Sequence, residues 1–401
     1  MTPRRAIVGA VTTTIACVIP TFLVGGLAVQ ISDELNFDPA GLGLASATYF
    51  GIGALASVPS GWLAERIGPA ATAYAGIAVS TATLAGIAVT GSFGGLLALL
   101  ALAGVGNALG QLASNAVLAV HVPLRRQGLS FGLKQSAIPI ATLLSGLAVP
   151  TVALTVGWRW AFVLAAALAA AAGLLVPRQG RGPRRGGRKR GGRPPGPLVV
   201  VGAAALLAAA AANALGTFLV DSAVAGGLSQ TAAGLALTAG GAVCGTSRIV
   251  GGWLADRWAQ GHIAAVAGCV GLGAIGVALL AVPHGAFLAV GVLLGFGLGW
   301  SWPGLLNYAV VRLHPQAPAA ATSITQTGVY AGGCLGPFAF GATAATAGYP
   351  TAWLGAATAM VLAAALMLVG RRLLVRHART APRIDHEVDS ATHPHESLST
   401  S

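Results

Sequence analysis

A short basic segment divides this 401-residue chain into two long apolar halves. Residues 178–197, read as RQGRGPRRGGRKRGGRPPGP, hold eight of the 23 lysines and arginines, with seven glycines and four prolines. Such a composition buries too little apolar surface to fold, so we expect a solvated and disordered linker. Only 8% of the whole chain is charged and 55% is hydrophobic. This pattern excludes a soluble globular protein and indicates a chain that crosses a membrane many times.

The apolar runs predict twelve membrane-spanning helices, because each run approaches the roughly 20 residues that cross a bilayer. We expect an all-α membrane protein of two pseudo-symmetric six-helix bundles. The predicted domains are an amino-terminal bundle (1–177), the linker (178–197), a carboxyl-terminal bundle (198–370) and a disordered cytoplasmic tail (371–401). The predicted spans are residues 6–30, 41–63, 70–90, 93–120, 129–153, 160–176, 198–221, 231–254, 263–282, 286–311, 320–346 and 351–370.

The distribution of charge predicts which helix ends face the cytoplasm. Twenty of the 23 basic residues fall in the terminal segments, the linker or alternate loops, whereas Asp33, Glu34 and Asp38 lie together in the first loop. Basic loops remain on the cytoplasmic side of the plasma membrane, so both termini and the linker are expected there. Anionic lipid head groups account for the net charge of +13, and no nucleic-acid partner is expected.

The chain carries no residue pattern that indicates an enzyme. Its four cysteines are scattered through the predicted spans, so neither a disulfide framework nor a metal site is expected. The absence of a Walker motif argues against direct use of ATP, and no cofactor is expected. We expect a monomer whose partners are the bilayer and a small-molecule substrate.

An internal repeat relates the two halves. The hexapeptide GWLAER at residues 61–66 recurs as GWLADR at residues 252–257, each time after the second predicted span of its half. The same offset of 191 residues maps Gln135 onto Gln326. Two repeats in the same orientation are expected when two bundles are related by an axis along the membrane normal.

The repeated hexapeptide resembles the loop signature Gly-x-x-x-Asp-Arg-x-Gly of the major facilitator superfamily. The resemblance covers the chain apart from the linker and tail, and it implies secondary transport by alternating access. The chain departs from the signature because Glu65 replaces the aspartate and the second copy lacks the final glycine. By this resemblance, six residues act as gates that latch the cytoplasmic side when it is closed: Gly61, Glu65, Arg66, Gly252, Asp256 and Arg257.

A narrower likeness concerns the fifth and eleventh spans. The stretches 126–139 and 325–330 look like the bacterial cyanate and nitroimidazole transporter branch, which carries small solutes. The alternative is a proton-coupled multidrug or metabolite exporter, with a coupling proton as a further partner. That alternative is disfavoured because the fifth span lacks the glycine pattern of drug antiporters and Asp221 lies near a span end. A non-transporting sensor would be expected to carry a folded cytoplasmic domain.

Two cations inside the predicted spans indicate the binding site, because ionisable groups are costly in a bilayer. We expect Arg248 and Lys134 to bind one small organic or inorganic anion. The alternative is that both side chains extend to the cytoplasmic surface. Neutral and aromatic side chains, which otherwise form hydrogen bonds between helices, are expected to line the same cavity: Gln135, Gln326, Asn107, Gln111, Asn115, Tyr330, Trp300 and Asn307.

Overall fold

The computed structural model describes residues 3–122, 127–176, 196–255, 257, 261–282, 285–314 and 318–380. Within these ranges all regular structure is helical, which confirms the predicted fold class. The helical run Pro318–Thr380 is interrupted at Gly348, where φ is 82° and ψ is 163°. Divided there, the described ranges contain twelve long helices, as predicted. The predicted linker and the tail beyond Thr380 lie outside the described residues, apart from the last two linker positions.

The amino-terminal bundle consists of six helices. Proline stands at the first helical position at Pro39 and Pro69, where the missing N–H costs no hydrogen bond. The bounds are α1 Pro3–Gly26 with a short extension Ala28–Leu35, α2 Pro39–Ile67, α3 Pro69–Val89, α4 Phe93–His121, α5 Gln127–Gln135 and Ala137–Ala148 followed by Val149–Ala153 and Leu154–Val156, and α6 Trp158–Ala172 with a final turn Gly173–Leu175.

The carboxyl-terminal bundle repeats this arrangement. Its last helix continues to Thr380, so the prediction of disorder from residue 371 is wrong for the first turns of the tail. Arginine and leucine make up six of the ten residues 371–380 and favour helix. The bounds are α7 Pro197–Ala225, α8 Gln230–Ala255, α9 His262–Leu279, α10 Gly285–Leu294, Gly295–Gly299 and Pro303–Leu313, α11 318–347 and α12 349–380.

Helices α5 and α10 are interrupted, whereas the sequence predicts two continuous spans. In α5 the break falls at Ser136, between segments ending at Gln135 and beginning at Ala137. In α10 a π-helical turn over Gly295–Gly299 is followed by a non-helical turn, and Pro303 begins the next segment. Trp300 and Asn307, which the sequence places in one continuous span, therefore do not lie on a single helix.

The ends of the helices form two faces. The arginine-rich face carries Arg4, Arg5, Arg66, Arg257, Arg312 and Arg371. The acidic face carries Asp33, Glu34 and Asp38, in the connection between α1 and α2.

The two bundles pack tightly against each other near the acidic face. A methyl carbon added at Gly146 of α5 would lie 2.6 Å from the carbonyl oxygen of Gly234 in α8. One added at Gly25 of α1 would lie 2.7 Å from the carbonyl oxygen of Gly216 in α7. Glycine permits this approach of helix backbones inside a membrane. The Gln30 amide also donates to the Gln230 side chain over 2.9 Å, so the acidic face is closed.

The close packing of α5 on α8 ends before the arginine-rich face is reached. Gly241 of α8 still touches the backbone of Pro139 and Leu143. Further along the same pair of helices, no described atom lies within 4 Å of a methyl carbon added at Gly132 or Gly252. The two helices therefore diverge toward the arginine-rich face.

Candidate functional site

Arg248 lies at the point where α5 and α8 begin to diverge. Its Nη1 donates to the carbonyl oxygen of Gln135 over 2.6 Å, and its Nη2 donates to the carbonyl oxygen of Trp300 over 2.9 Å. The residue is only 5% exposed, which contradicts an extension of its side chain to the surface. The guanidinium thus joins the interrupted helix of one bundle to the interrupted helix of the other.

The two helix breaks explain why these carbonyl groups accept hydrogen bonds from a side chain. Pro139 stands four residues after Gln135 and has no N–H to donate to its carbonyl, as a continuous helix would require. Trp300 lies in the turn after the π-helical segment of α10. A buried carbonyl without a partner is unfavourable, and a charged donor satisfies it strongly.

The Nε of Arg248 is buried and has no hydrogen-bond partner among the described residues. Arginine carries five N–H donors, and the two carbonyl oxygens engage only its two terminal nitrogens. A buried donor without a partner is unfavourable, so this edge of the guanidinium is suited to an acceptor from a bound solute.

Lys134 is the second buried cation, at 3% exposure, and it too does not extend to the surface. Its ammonium donates to the side-chain oxygen of Gln111 in α4, within its own bundle. The Gln135 carbonyl that Arg248 binds belongs to the residue directly after Lys134 in the chain. The hydrogen-bond partners of the two cations, however, belong to different helices.

Neither cation has an acidic partner in the part of the chain that the structure describes. The ion pair found there joins Arg159 to Glu34, 2.5 Å apart on the acidic face. Carbonyl and amide oxygens surround the two buried charges instead. The region between the bundles thus keeps a positive charge that a small anion would neutralise.

Aromatic rings close this region on the side of the acidic face. The Trp300 ring lies 5.7 Å from that of Phe22 in α1 and 5.6 Å from that of Phe296. A methyl carbon added at Gly216 of α7 would lie 2.7 Å from the Trp300 ring. The rings of both bundles therefore fill the space between the Arg248 guanidinium and the acidic face. Trp300 is part of this aromatic barrier.

Of the other residues expected to line the cavity, two contact a neighbouring helix and four are partly exposed. Asn107 is 4% exposed and lies against Gly53 of α2, with its Oδ1 unpaired among the described residues. Tyr330 lies beside Ser57 of α2, across the bundle interface. The other four are partly exposed: Gln135, Gln326, Asn115 and Asn307.

Ser57 stands at the pseudo-symmetric position of Arg248, since the two residues are 191 positions apart. Both lie where a pair of helices from different bundles makes contact, α2 with α11 and α8 with α5. Only α8 carries a charge there. The candidate binding region is therefore asymmetric, although the helices around it are repeated, and the carboxyl-terminal bundle supplies the guanidinium.

The expected gate arginines stack on tryptophans of their own helices. The Arg66 guanidinium lies 3.4 Å from the centre of the Trp62 ring, and Arg257 lies 3.5 Å from that of Trp253. Both tryptophans are about half exposed. The sequence analysis missed these stacks, although the repeated hexapeptide places tryptophan four residues before arginine in both copies.

Of the other four expected gate residues, the structure fully describes only the two glycines. Gly61 approaches the Leu112 side chain of α4, and Gly252 lies near the end of α8. Asp256 lies outside the described residues. Glu65 lies within α2, but its side chain is also outside the described part of the chain.

Comparison with known proteins gives the family. The profile described as Major Facilitator Superfamily matches residues 9–224 and 201–394. The chain belongs to the major facilitator superfamily. The resemblance drawn from the hexapeptide repeat is thereby confirmed at the level of the superfamily. No curated protein sequence matches the chain.

Two solved structures are similar to this chain over more than nine-tenths of its length. Both are of a bacterial homologue of the human lysosomal transporter Spinster. The inward-facing, occupied form is 16% identical, with a TM-score of 0.69, and covers 94% of this chain and 96% of its own. The inward-facing, unoccupied form is 15% identical, with a TM-score of 0.74, and covers 93% and 98%. At these identities the likeness concerns the fold.

Proposed function

We propose that this superfamily member is a secondary active transporter of a small organic or inorganic anion. The observation that carries the proposal is the buried guanidinium of Arg248. It lies where the close packing of α5 on α8 ends. Its Nε has no hydrogen-bond partner among the described residues, and no described carboxylate pairs with it. The neighbouring Lys134 adds a second charge, and polar side chains such as Asn107 and Tyr330 lie between the helices.

In this mechanism the bundles rock about the binding region and expose it to each face in turn. The closed acidic face and the diverging helices on the arginine-rich face suit the state that receives or releases solute on the arginine-rich side. The basic loops favour the cytoplasm of the cell for that side, so the protein is a multi-pass plasma-membrane protein with both termini inside. We expect a monomer.

The gates act in the opposite state. When the arginine-rich face closes, Arg66 and Arg257 leave their tryptophans and form the latches with Glu65 and Asp256. A stacked guanidinium keeps its charge and is weakly hydrated, so each arginine can exchange its tryptophan ring for a carboxylate. The small-solute branch that includes cyanate transporters remains our proposal for the class of substrate.

A thermal-shift screen of the purified chain tests the proposal. Cyanate, nitrate and short carboxylates are compared with a matched set of cationic drugs, because a ligand of the folded state raises the apparent melting temperature. We expect an anion to stabilise the chain, Arg248→Ala to abolish the shift and Arg248→Lys to reduce it. Arg312→Ala removes one exposed arginine elsewhere and should keep the shift. Stabilisation by drugs alone would support the exporter instead.

A further inference from the structure

Asp221 lies in the closed bundle interface near the acidic face. Its carboxylate accepts a hydrogen bond from the Tyr349 hydroxyl, which ties α7 to the start of α12 within one bundle. Tyr349 directly follows the helix break at Gly348, so the break sets its position. Asp221 is partly buried and has no part in the binding region around Arg248.

A cleft of about 200 Å³ adjoins this pair and is lined by both bundles. The amino-terminal bundle contributes Ser32 and Asp38, among others, and the carboxyl-terminal bundle contributes Asp221 and Tyr349. Opening of the acidic face separates the two sides of this cleft. The carboxylates of the two bundles thus lie near each other only in the closed state.

The charges that face Asp221 from the other bundle are negative. Asp33, in the short extension of α1, is close enough for its charge to act on Asp221. Asp38, at the start of α2, acts on Tyr349 in the same way. The outer ends of α8 and α11 carry no acidic or basic residue in their sequences.

The nearby described cation does not compensate these carboxylates. Arg159 donates to Glu34 and to the carbonyl oxygens of Ala88 and Thr90, all within the amino-terminal bundle. The partly buried Asp221 therefore meets negative charge from the other bundle with no described cation beside it, which disfavours its ionised form.

We propose that Asp221 makes the acidic-face gate sensitive to pH. When Asp221 is protonated, repulsion between the bundles falls and Tyr349 still donates to the carboxyl group, so the gate stays closed. When Asp221 is ionised, repulsion from Asp33 and Asp38 favours separation of the bundles, and water then hydrates the charge. The closed state binds the proton more tightly, so acid shifts the population toward it. The switch does not depend on which solute is carried.

The test measures the width of the acidic face in the full chain without any solute. Spin labels are attached to Gly91→Cys in one bundle and Ala232→Cys in the other, after replacement of the four native cysteines. Both positions are exposed. We expect the open-to-closed ratio to rise about tenfold between pH 5 and pH 9, which corresponds to about 1.4 kcal/mol. In Asp221→Asn the ratio should stay low and change less than twofold.

Matched variants distinguish the switch from a general effect of charge. Glu34→Gln removes one carboxylate from the same face, but its partners Arg159 and Trp158 lie in its own bundle, so the pH response should remain. Tyr349→Phe keeps the Asp221 carboxylate and removes a donor that stabilises its charge. Its response should persist and move to higher pH. A parent protein without pH response, or an unchanged response in Asp221→Asn, would overturn the proposal.

Discussion

The Arg248 guanidinium joins the two bundles through a 2.6 Å hydrogen bond to the carbonyl oxygen of Gln135. This acceptor is available because Pro139 cannot donate to it. Proline in α5 and arginine in α8 therefore form one structural unit, although they lie in different halves of the sequence. A solute that binds a terminal nitrogen of the guanidinium as well as the free Nε competes with a backbone contact between the bundles.

Pro139→Ala tests this unit. An N–H at position 139 can bond the Gln135 carbonyl and release one terminal nitrogen of Arg248 for a bound anion. We expect roughly fivefold tighter anion binding, since a charged hydrogen bond contributes about 1.5–3 kcal/mol and is only partly exchanged here. Isothermal titration with the stabilising anion measures this affinity. Unchanged affinity, together with a protected amide at position 139 in hydrogen exchange, would contradict the competition.

Gly146→Ala tests the closed acidic face. The added methyl carbon would lie 2.6 Å from the Gly234 carbonyl oxygen, so the bundles must separate there. We expect the closed population to fall by about tenfold or more, because overpacking costs about 1–3 kcal/mol. Gly132→Ala is the matched control in the same helix, where no described atom lies within 4 Å. Distances between the spin labels described above give the populations, and equal results for both variants would refute the steric argument.

The hydrogen bond between Lys134 and Gln111 predicts a measurable coupling. Gln111→Leu leaves a buried ammonium without this acceptor and should lower stability by about 1–3 kcal/mol. Adding Lys134→Met removes the charge that needs the acceptor, so the double variant should regain most of that loss. A double-mutant cycle of apparent melting temperatures measures the coupling. Additive effects of the two substitutions would show that the contact contributes nothing to stability.

How well the sequence predicts a contact in this structure depends on how far apart the two residues lie along the chain. Hydropathy and the repeated hexapeptide predict twelve helices in two bundles, because both patterns can be recognised in short stretches of sequence without knowing how the helices pack. The stacking of Arg66 on Trp62 was also within reach, since the residues are four apart on one helix. The pairing of Asp221 with Tyr349 was not, because it joins α7 to α12 and depends on how the helices pack. The same holds for the Gln135 carbonyl, whose partner is 113 residues away.

The ion pair between Glu34 and Arg159 predicts a dependence of stability on pH. Hydrogen bonds from Arg159, and also from Trp158, lower the pKa of Glu34 below its ordinary value of 4.5. The stabilisation is therefore complete above that value and is lost as the pH falls through the lowered pKa. Both groups are substantially exposed, so we expect a contribution of at most about 1 kcal/mol. Glu34→Gln should lower the apparent melting temperature at pH 7 and have little effect near pH 3. The difference at pH 7 should shrink in about 1 M salt, which screens exposed charges, and a loss that is independent of pH and salt would contradict an electrostatic origin.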